Sequence, residues 1–288
     1  MSQEQPLPAL TLVGPGRAGT TLARCWKSAG GRIEAILARR GEAAQTLASE
    51  VGARAGSLED PGLDPADLLV LAVPDDAIAD VAARLAPRLP ARTVFHLSGA
   101  RPAEDLAPFA RRGARIASVH PLLPFTGTPG ETWNGAVVAV EGDEEGLRQG
   151  EAAARGLGAR PHRLPAHAKA LYHLGATLAA GGSMALLSMA TSLWEEAGIA
   201  GREARPALAG LAEHAARAYG TARDAAAAFT GPLARRDLET IRAHWRALSR
   251  HPELAAVYAA LARETLRKTP GLGLETEILR MLEASPER

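Results

Sequence analysis

Residues 14–19 read Gly14-Pro15-Gly16-Arg17-Ala18-Gly19, directly behind the apolar run Leu10–Val13. Three glycines at this spacing, after a strand-like run and opening the helix-like stretch Ala18–Ser28, leave few folds open. Gly14 permits a tight turn. Gly16 lets backbone come close to a ligand, and Gly19 lets the helix pack closely on the strand. The N-terminus of such a helix offers free N–H groups and a positive dipole end, which suits a pyrophosphate. The motif therefore predicts a dinucleotide site built from Gly14, Pro15, Gly16, Arg17, Ala18 and Gly19.

The same strand–helix alternation continues through the first half of the chain. Short Val/Ile/Leu-rich runs recur at Ile33–Leu37, Asp67–Val73, Thr93–Leu97, Arg115–Val119 and Ala136–Val140. Helix-like pieces lie between them, at Glu42–Val51, Asp76–Leu85 and Glu144–Leu157. Runs of this kind suit strands buried on both faces, so the pattern predicts a doubly wound parallel sheet. Beyond about Ala166 the strand signals stop, and helix is expected with breaks near Gly198–Gly201, Thr230–Pro232, His251–Pro252 and Pro270–Gly273. The expected class is α/β with an all-α C-terminal domain, divided into residues 1–165 and 166–288. A length of 288 residues agrees with about two domains.

The end of the second strand speaks to the cofactor. A dinucleotide site for NAD carries an acid about 20 residues past the last glycine, for the ribose 2′-hydroxyl. The residues here are Arg39 and Arg40. Guanidinium groups suit a 2′-phosphate, so NADP(H) is expected.

Composition excludes several classes. Lys plus Arg number 33 against 32 Asp plus Glu, so no global charge favours nucleic acid. One cysteine, Cys25, rules out an internal disulfide framework and a cysteine zinc site, and no histidine spacing suggests a metal. The N-terminus shows no secretory pattern, and a cytoplasmic protein is expected. Residues Ala170–Trp194 carry no formal charge over 25 positions, long enough to span a bilayer. Its histidine, serines, threonines and glycines favour a helix covered by a domain or subunit, with no membrane.

Several motifs carry a family resemblance. Val73-Pro74-Asp75 is typical of Rossmann enzymes of the 6-phosphogluconate dehydrogenase type. Phe95-His96-Leu97-Ser98-Gly99-Ala100 and Ser118-Val119-His120-Pro121-Leu122 resemble the next strand ends of one branch. Lys169-Ala170-Leu171-Tyr172-His173 and Thr230-Gly231-Pro232-Leu233-Ala234-Arg235-Arg236-Asp237 resemble that branch's helical signatures. The branch is the Rossmann-like plus DUF2520 family, related to ketopantoate reductase, pyrroline-5-carboxylate reductase, prephenate dehydrogenase and β-hydroxyacid dehydrogenases. It implies that Val73 and Pro74 border the cofactor. Family members often carry a Ser-Asn pair where this chain has Ala180-Gly181.

The candidate chemistry follows. Lys169, one of three lysines, and His173 stand four apart on one helical face. The resemblance implies a proton donor at Lys169 and a partner at His173. His120 closes a strand before Pro121, at the carboxyl edge where doubly wound folds bind ligands. It can serve as a general acid, with Ser98 beside it as in prephenate dehydrogenases. His96 is expected to be structural. Arg235 has the chemistry to hold a carboxylate, but a plain helix start is the preferred account of Arg235 and Arg236. The expected activity is NADPH-dependent reduction of a small 2-oxo acid, with the substrate's carboxylate recognised. Cyclic imine reduction and a non-catalytic NADP sensor or scaffold are the alternatives. The uncharged helix predicts a homodimer through the helical domain.

Overall fold

A computed structural model describes residues 6–284 apart from 60, 61, 63, 129 and 272. The chain forms two compact units, Met1–Ala180 and Gly181–Arg288.

The first unit is a sheet of eight strands: β1 (Leu10–Val13), β2 (Ile33–Ala38), β3 (Arg54–Ser57), β4 (Ala66–Leu71), β5 (Ala91–His96), β6 (Arg115–Pro121), β7 (Val137–Gly142) and β8 (Arg160–Arg163). Their order is β3-β2-β1-β4-β5-β6-β7-β8. From β3 to β6 all pairings are parallel. β7 runs antiparallel to β6, with His120 opposite Ala139, and β8 is parallel to β7. The order doubles back from β3 to β1 and then proceeds to β4, so a switch point lies between β1 and β4, where such folds bind ligands.

Alternate residues of each strand feed two cores. Leu10 and Leu12 of β1, with Leu68 and Val70 of β4, enter one. Val13, Leu69 and Leu71 enter the other. The first core is covered by α1 (Arg17–Ser28), α2 (Glu42–Val51) and α5 (Glu144–Gly156). The second is covered by α3 (Ile78–Leu85) and α4 (Ala107–Ala110). Burial on both faces explains why the central strands read as continuous apolar runs. β3 and β8 escaped that reading because they are the edges of the sheet, and their sequences, RAGS and RPHR, are polar. The expected strand Asp67–Val73 spans Ala66–Leu71 in the structure, with Ala72 N still donating to the Val13 carbonyl at 2.7 Å.

The first helix of the uncharged stretch, α6 (Lys169–Thr177), belongs to the sheet unit. The compact units divide after Ala180, with Lys169 buried against β6 and β7 in the first of them.

The second unit contains α7 (Ser183–Glu196), α8 (Gly201–Thr221), α9 (Ala225–Ala228), α10 (Gly231–Arg235), α11 (Leu238–Ala247), α12 (Pro252–Lys268) and α13 (Glu275–Glu283). Each expected break falls at a junction between two of these helices, with Gly201, Gly231 and Pro252 opening the helix that follows. Ile241, Trp245, Ala259, Ala262, Leu266, Ile278 and Leu282 form a core among α11, α12 and α13. Arg236 caps α10 in a left-handed conformation, φ 55°, rare for a residue with a side chain. Its guanidinium donates to the Thr269 carbonyl and pairs with Glu275 at 2.7 Å, binding α10 to the α12–α13 connection.

Among the described residues, one run, Ala166–Glu196, is long and apolar enough to cross a bilayer by length and composition. Its apolar side chains are exposed in the single chain: Leu171 is 74% exposed, Leu178 64% and Met184 62%.

Candidate active site

The glycine turn has the geometry its sequence requires. Gly14 sits at φ +98°, and a Cβ there would run into the Ala72 carbonyl at the end of β4. At Gly19 a Cβ would run into the Gly14 carbonyl. Nothing lies within 4 Å of the place a Gly16 Cβ would take, so that side is open to a ligand. Gly16 caps α1 without a side-chain hydrogen bond, and the helix has no acid in its first turn. These residues fit a dinucleotide's pyrophosphate at the positive end of α1.

Arg39 and Arg40 follow the end of β2 and are exposed. Val73 is half-buried, and Pro74 is exposed beyond β4. Arg17 is exposed, and a Cβ on Gly127 would lie 3.2 Å from its Cγ. Glu131 holds that loop to α1: its carboxylate accepts from Thr21 Oγ1 at 2.5 Å and from Thr126 N at 2.7 Å. Hydrogen bonds from Thr126 and Thr21 pull its pKa down to about 2. Sequence reasoning passed over this latch, which shows only as an acid in a turn-rich loop.

Two strands away, the ends of β5, β6 and β7 meet α6. His120 leaves β6 half-buried, with Nδ1 at 3.0 Å from the Tyr172 hydroxyl. The rings meet edge to face, centroids 5.6 Å apart at 88°. His173 stands on the other side, its ring centroid 6.0 Å from that of His120. Both imidazoles rest against Gly99. A methyl built there would lie 2.7 Å from His120 Cε1 and from His173 Cδ2, and 2.8 Å from His120 Nε2. Only glycine fits between these rings.

Burial pushes the His120 pKa down to about 4, with His173 and Lys169 adding to the effect. His120 is therefore neutral at neutral pH. The Tyr172 phenol is pushed up by burial and keeps its proton.

Lys169 is placed differently from His173. It is 4% exposed. Its ammonium donates to Ser118 Oγ and lies 3.3 Å from Glu141 Oε2, itself 4% exposed. Burial lowers its pKa, with Glu141 opposing. Ser118 Oγ in turn donates to the Ser98 carbonyl at 2.9 Å. The Ser98 hydroxyl accepts from the N–H groups of Ala100 and Arg101 at 3.1 and 3.0 Å, so it caps a turn.

His96 is wholly buried. Its Nδ1 accepts from Ser98 N at 3.2 Å, which leaves Nε2–H to donate to the Pro102 carbonyl at 3.0 Å. Burial takes its pKa to about 4.

The structure thus brings His120, His173, Ser98 and Lys169 to one edge, with the first two lining it and the other two bound beneath it. Sequence reasoning quoted Gly99, Ser118 and Tyr172 without giving them roles, and missed Glu141. The available signal for Glu141 was a lone charge closing the apolar run Ala136–Val140.

Comparison with known proteins agrees with this architecture. The model of the Rossmann-like domain matches residues 3–121. The model of the domain of unknown function DUF2520 matches residues 136–265, so its match begins within the sheet unit. No curated protein matches the sequence. Among solved structures, protein TM1727 from Thermotoga maritima is 22% identical, with a TM-score of 0.73 over 96% of this chain and 100% of its own. Protein BF3122 from Bacteroides fragilis is 21% identical, with a TM-score of 0.72 over 90% and 98%. An imine reductase from Myxococcus stipitatus in complex with NADP+ is 19% identical, with a TM-score of 0.61 over 94% and 100%. At these identities the likeness is one of fold.

Proposed function

Since the chain belongs to the family that joins a Rossmann-like domain to DUF2520, we propose that it is an NADP(H)-dependent oxidoreductase that reduces the C=N bond of a small molecule. The observation that carries this reading is the neutral His120–Tyr172 pair, seated against Gly99 at the ligand-binding edge of the sheet. The name of the Myxococcus stipitatus neighbour, an imine reductase with NADP+, lends support.

NADPH, when bound, supplies a hydride. The chain holds and orients. The turn from Gly14 to Gly19 takes the pyrophosphate on the N-terminus of α1. Arg39 and Arg40 take the 2′-phosphate. Val73 and Pro74 border the cofactor beyond β4. A protonated imine brings its own proton, so its carbon needs only the hydride and the product is a neutral amine. His120 Nδ1 shares a hydrogen bond with the Tyr172 hydroxyl, and in the tautomer that carries its proton on Nδ1 the other nitrogen, Nε2, offers a lone pair to the substrate N–H. A pKa near 4 preserves that lone pair at neutral pH.

A 2-oxo acid is the second reading. It requires a proton for the developing alkoxide and a cation for its carboxylate. Lys169, the expected donor, has its ammonium engaged by Glu141 and Ser118, which favours the imine. A screen of cyclic imines and 2-oxo acids by NADPH absorbance, with cofactor binding measured in parallel, tests the reading. NADPH consumption with imines is expected. Faster consumption with 2-oxo acids would reverse the order, and binding without turnover of either class would favour a sensor.

The exposed apolar side chains of α6 and α7 support a homodimer, a second copy covering them.

A further inference from the structure

We infer that the buried Lys169–Glu141 pair is a positioning clamp that holds the Gly99 turn against His120 and His173. The inference rests on the proposed reduction for its consequence in turnover, but on geometry alone for the clamp.

The turn runs from Ser98 to Ala103, and the pair grips it at both ends. At the first end Lys169 donates to Ser118 Oγ, and Ser118 donates to the Ser98 carbonyl at 2.9 Å. At the second, Glu141 Oε2 accepts from Ala103 N at 2.9 Å. The 3.3 Å contact between Lys169 and Glu141 closes the circuit. Four elements are joined in this way: β6 through Ser118, β7 through Glu141, α6 through Lys169, and the turn itself. His173 lies one helical turn beyond Lys169 on α6, and His120 lies two residues beyond Ser118 on β6. The clamp therefore fixes the floor at Gly99 and the elements carrying both imidazoles in one frame.

A buried ion pair is weak evidence for stability, because desolvation offsets its attraction. Its worth here is geometric. All its remaining bonds go to the turn and to β6, and a misplacement of about 1 Å near a reacting centre costs on the order of a hundredfold in rate. Lys169 acts through the turn and gives no proton to the substrate.

The test uses the full-length protein with histidine-labelled NMR and NADPH titration. Removing Lys169 alone would strand a buried carboxylate, so the clamp is removed whole, as Lys169→Met with Glu141→Leu, or opened at one link, as Ser118→Ala. In wild type an NOE between a Gly99 Hα and His120 Hε1 is expected, since a Cβ built at Gly99 would lie 2.7 Å from His120 Cε1. The double variant is expected to lose it, to bind NADPH within about twofold of wild type, and to lose turnover by about a hundredfold. Ser118→Ala is expected to weaken the NOE and lower kcat more than KM. Should the double variant not fold, Ser118→Ala decides. A retained NOE in the variant that decides overturns the clamp. Retained NOE with lost turnover in the double variant would instead assign Lys169 to the substrate. If wild type turns over nothing, the proposed reduction fails, while the NOE still judges the clamp.

Discussion

His120 Nδ1 and the Tyr172 hydroxyl stand 3.0 Å apart with their rings nearly perpendicular, one from a strand end and one from a helix. The contact fixes how the imidazole is turned, and so where its other nitrogen points. Tyr172→Phe keeps the ring and removes that tether. Turnover should fall by about tenfold or more, within the range of a positioned hydrogen bond at a reacting group, with NADPH affinity unchanged. Steady-state kinetics beside a binding titration will show it, and an unchanged kcat would free Tyr172 of any part.

Two buried histidines make the fold sensitive to acid. His96 and His120 have folded pKa values of about 4 against an ordinary 6.5. Between those values the unfolded chain binds more protons than the folded one, so stability rises with pH through that window. It is fully present above about 6.5 and is lost as pH falls towards 4. Each histidine contributes on the order of 3 kcal/mol by this linkage. Urea midpoints at several pH values should decline across the window. His96→Gln should flatten the decline, and a level profile in wild type would contradict both shifts.

The cofactor preference rests on two exposed guanidinium groups after β2. Replacing Arg39 and Arg40 by alanine should weaken NADPH by about ten- to a hundredfold, the loss of one or two charge-assisted contacts. NADH binding should hardly change. Equal losses for both cofactors would remove the arginines from 2′-phosphate recognition.

Leu174 and Met184 are exposed on the uncharged stretch. Light scattering should find a dimer at micromolar concentration, and Leu174→Glu with Met184→Glu should yield monomer, since a charge buried without a partner is costly. Monomeric wild type would leave the apolar face unexplained.

Much of the fold was legible because strands buried on both faces announce themselves as unbroken apolar runs. β1, β2, β4, β5, β6 and β7 all did so. The edge strands β3 and β8 did not, since half their surroundings are solvent. At the site, local patterns singled out Gly14–Gly19 and His120 from where an element begins or ends, and His173 from its spacing to Lys169 on α6. The contacts of Lys169 and Ser98 were not legible. They depend on partners far along the chain, Glu141 and Ser118 for one and the Ala100 and Arg101 amides for the other. Spacing on a helix shows that Lys169 and His173 share a face. It does not show that the first is sealed under a sheet edge while the second reaches its surface.

The central claim is that His120 orients a C=N substrate for reduction. The most direct measurement is the rate of NADPH consumption with a cyclic imine, for wild type and His120→Ala, with NADPH affinity measured on both. The account predicts turnover by wild type, a loss of about a hundredfold or more in His120→Ala, and equal NADPH binding. A variant that keeps the wild-type rate would contradict it.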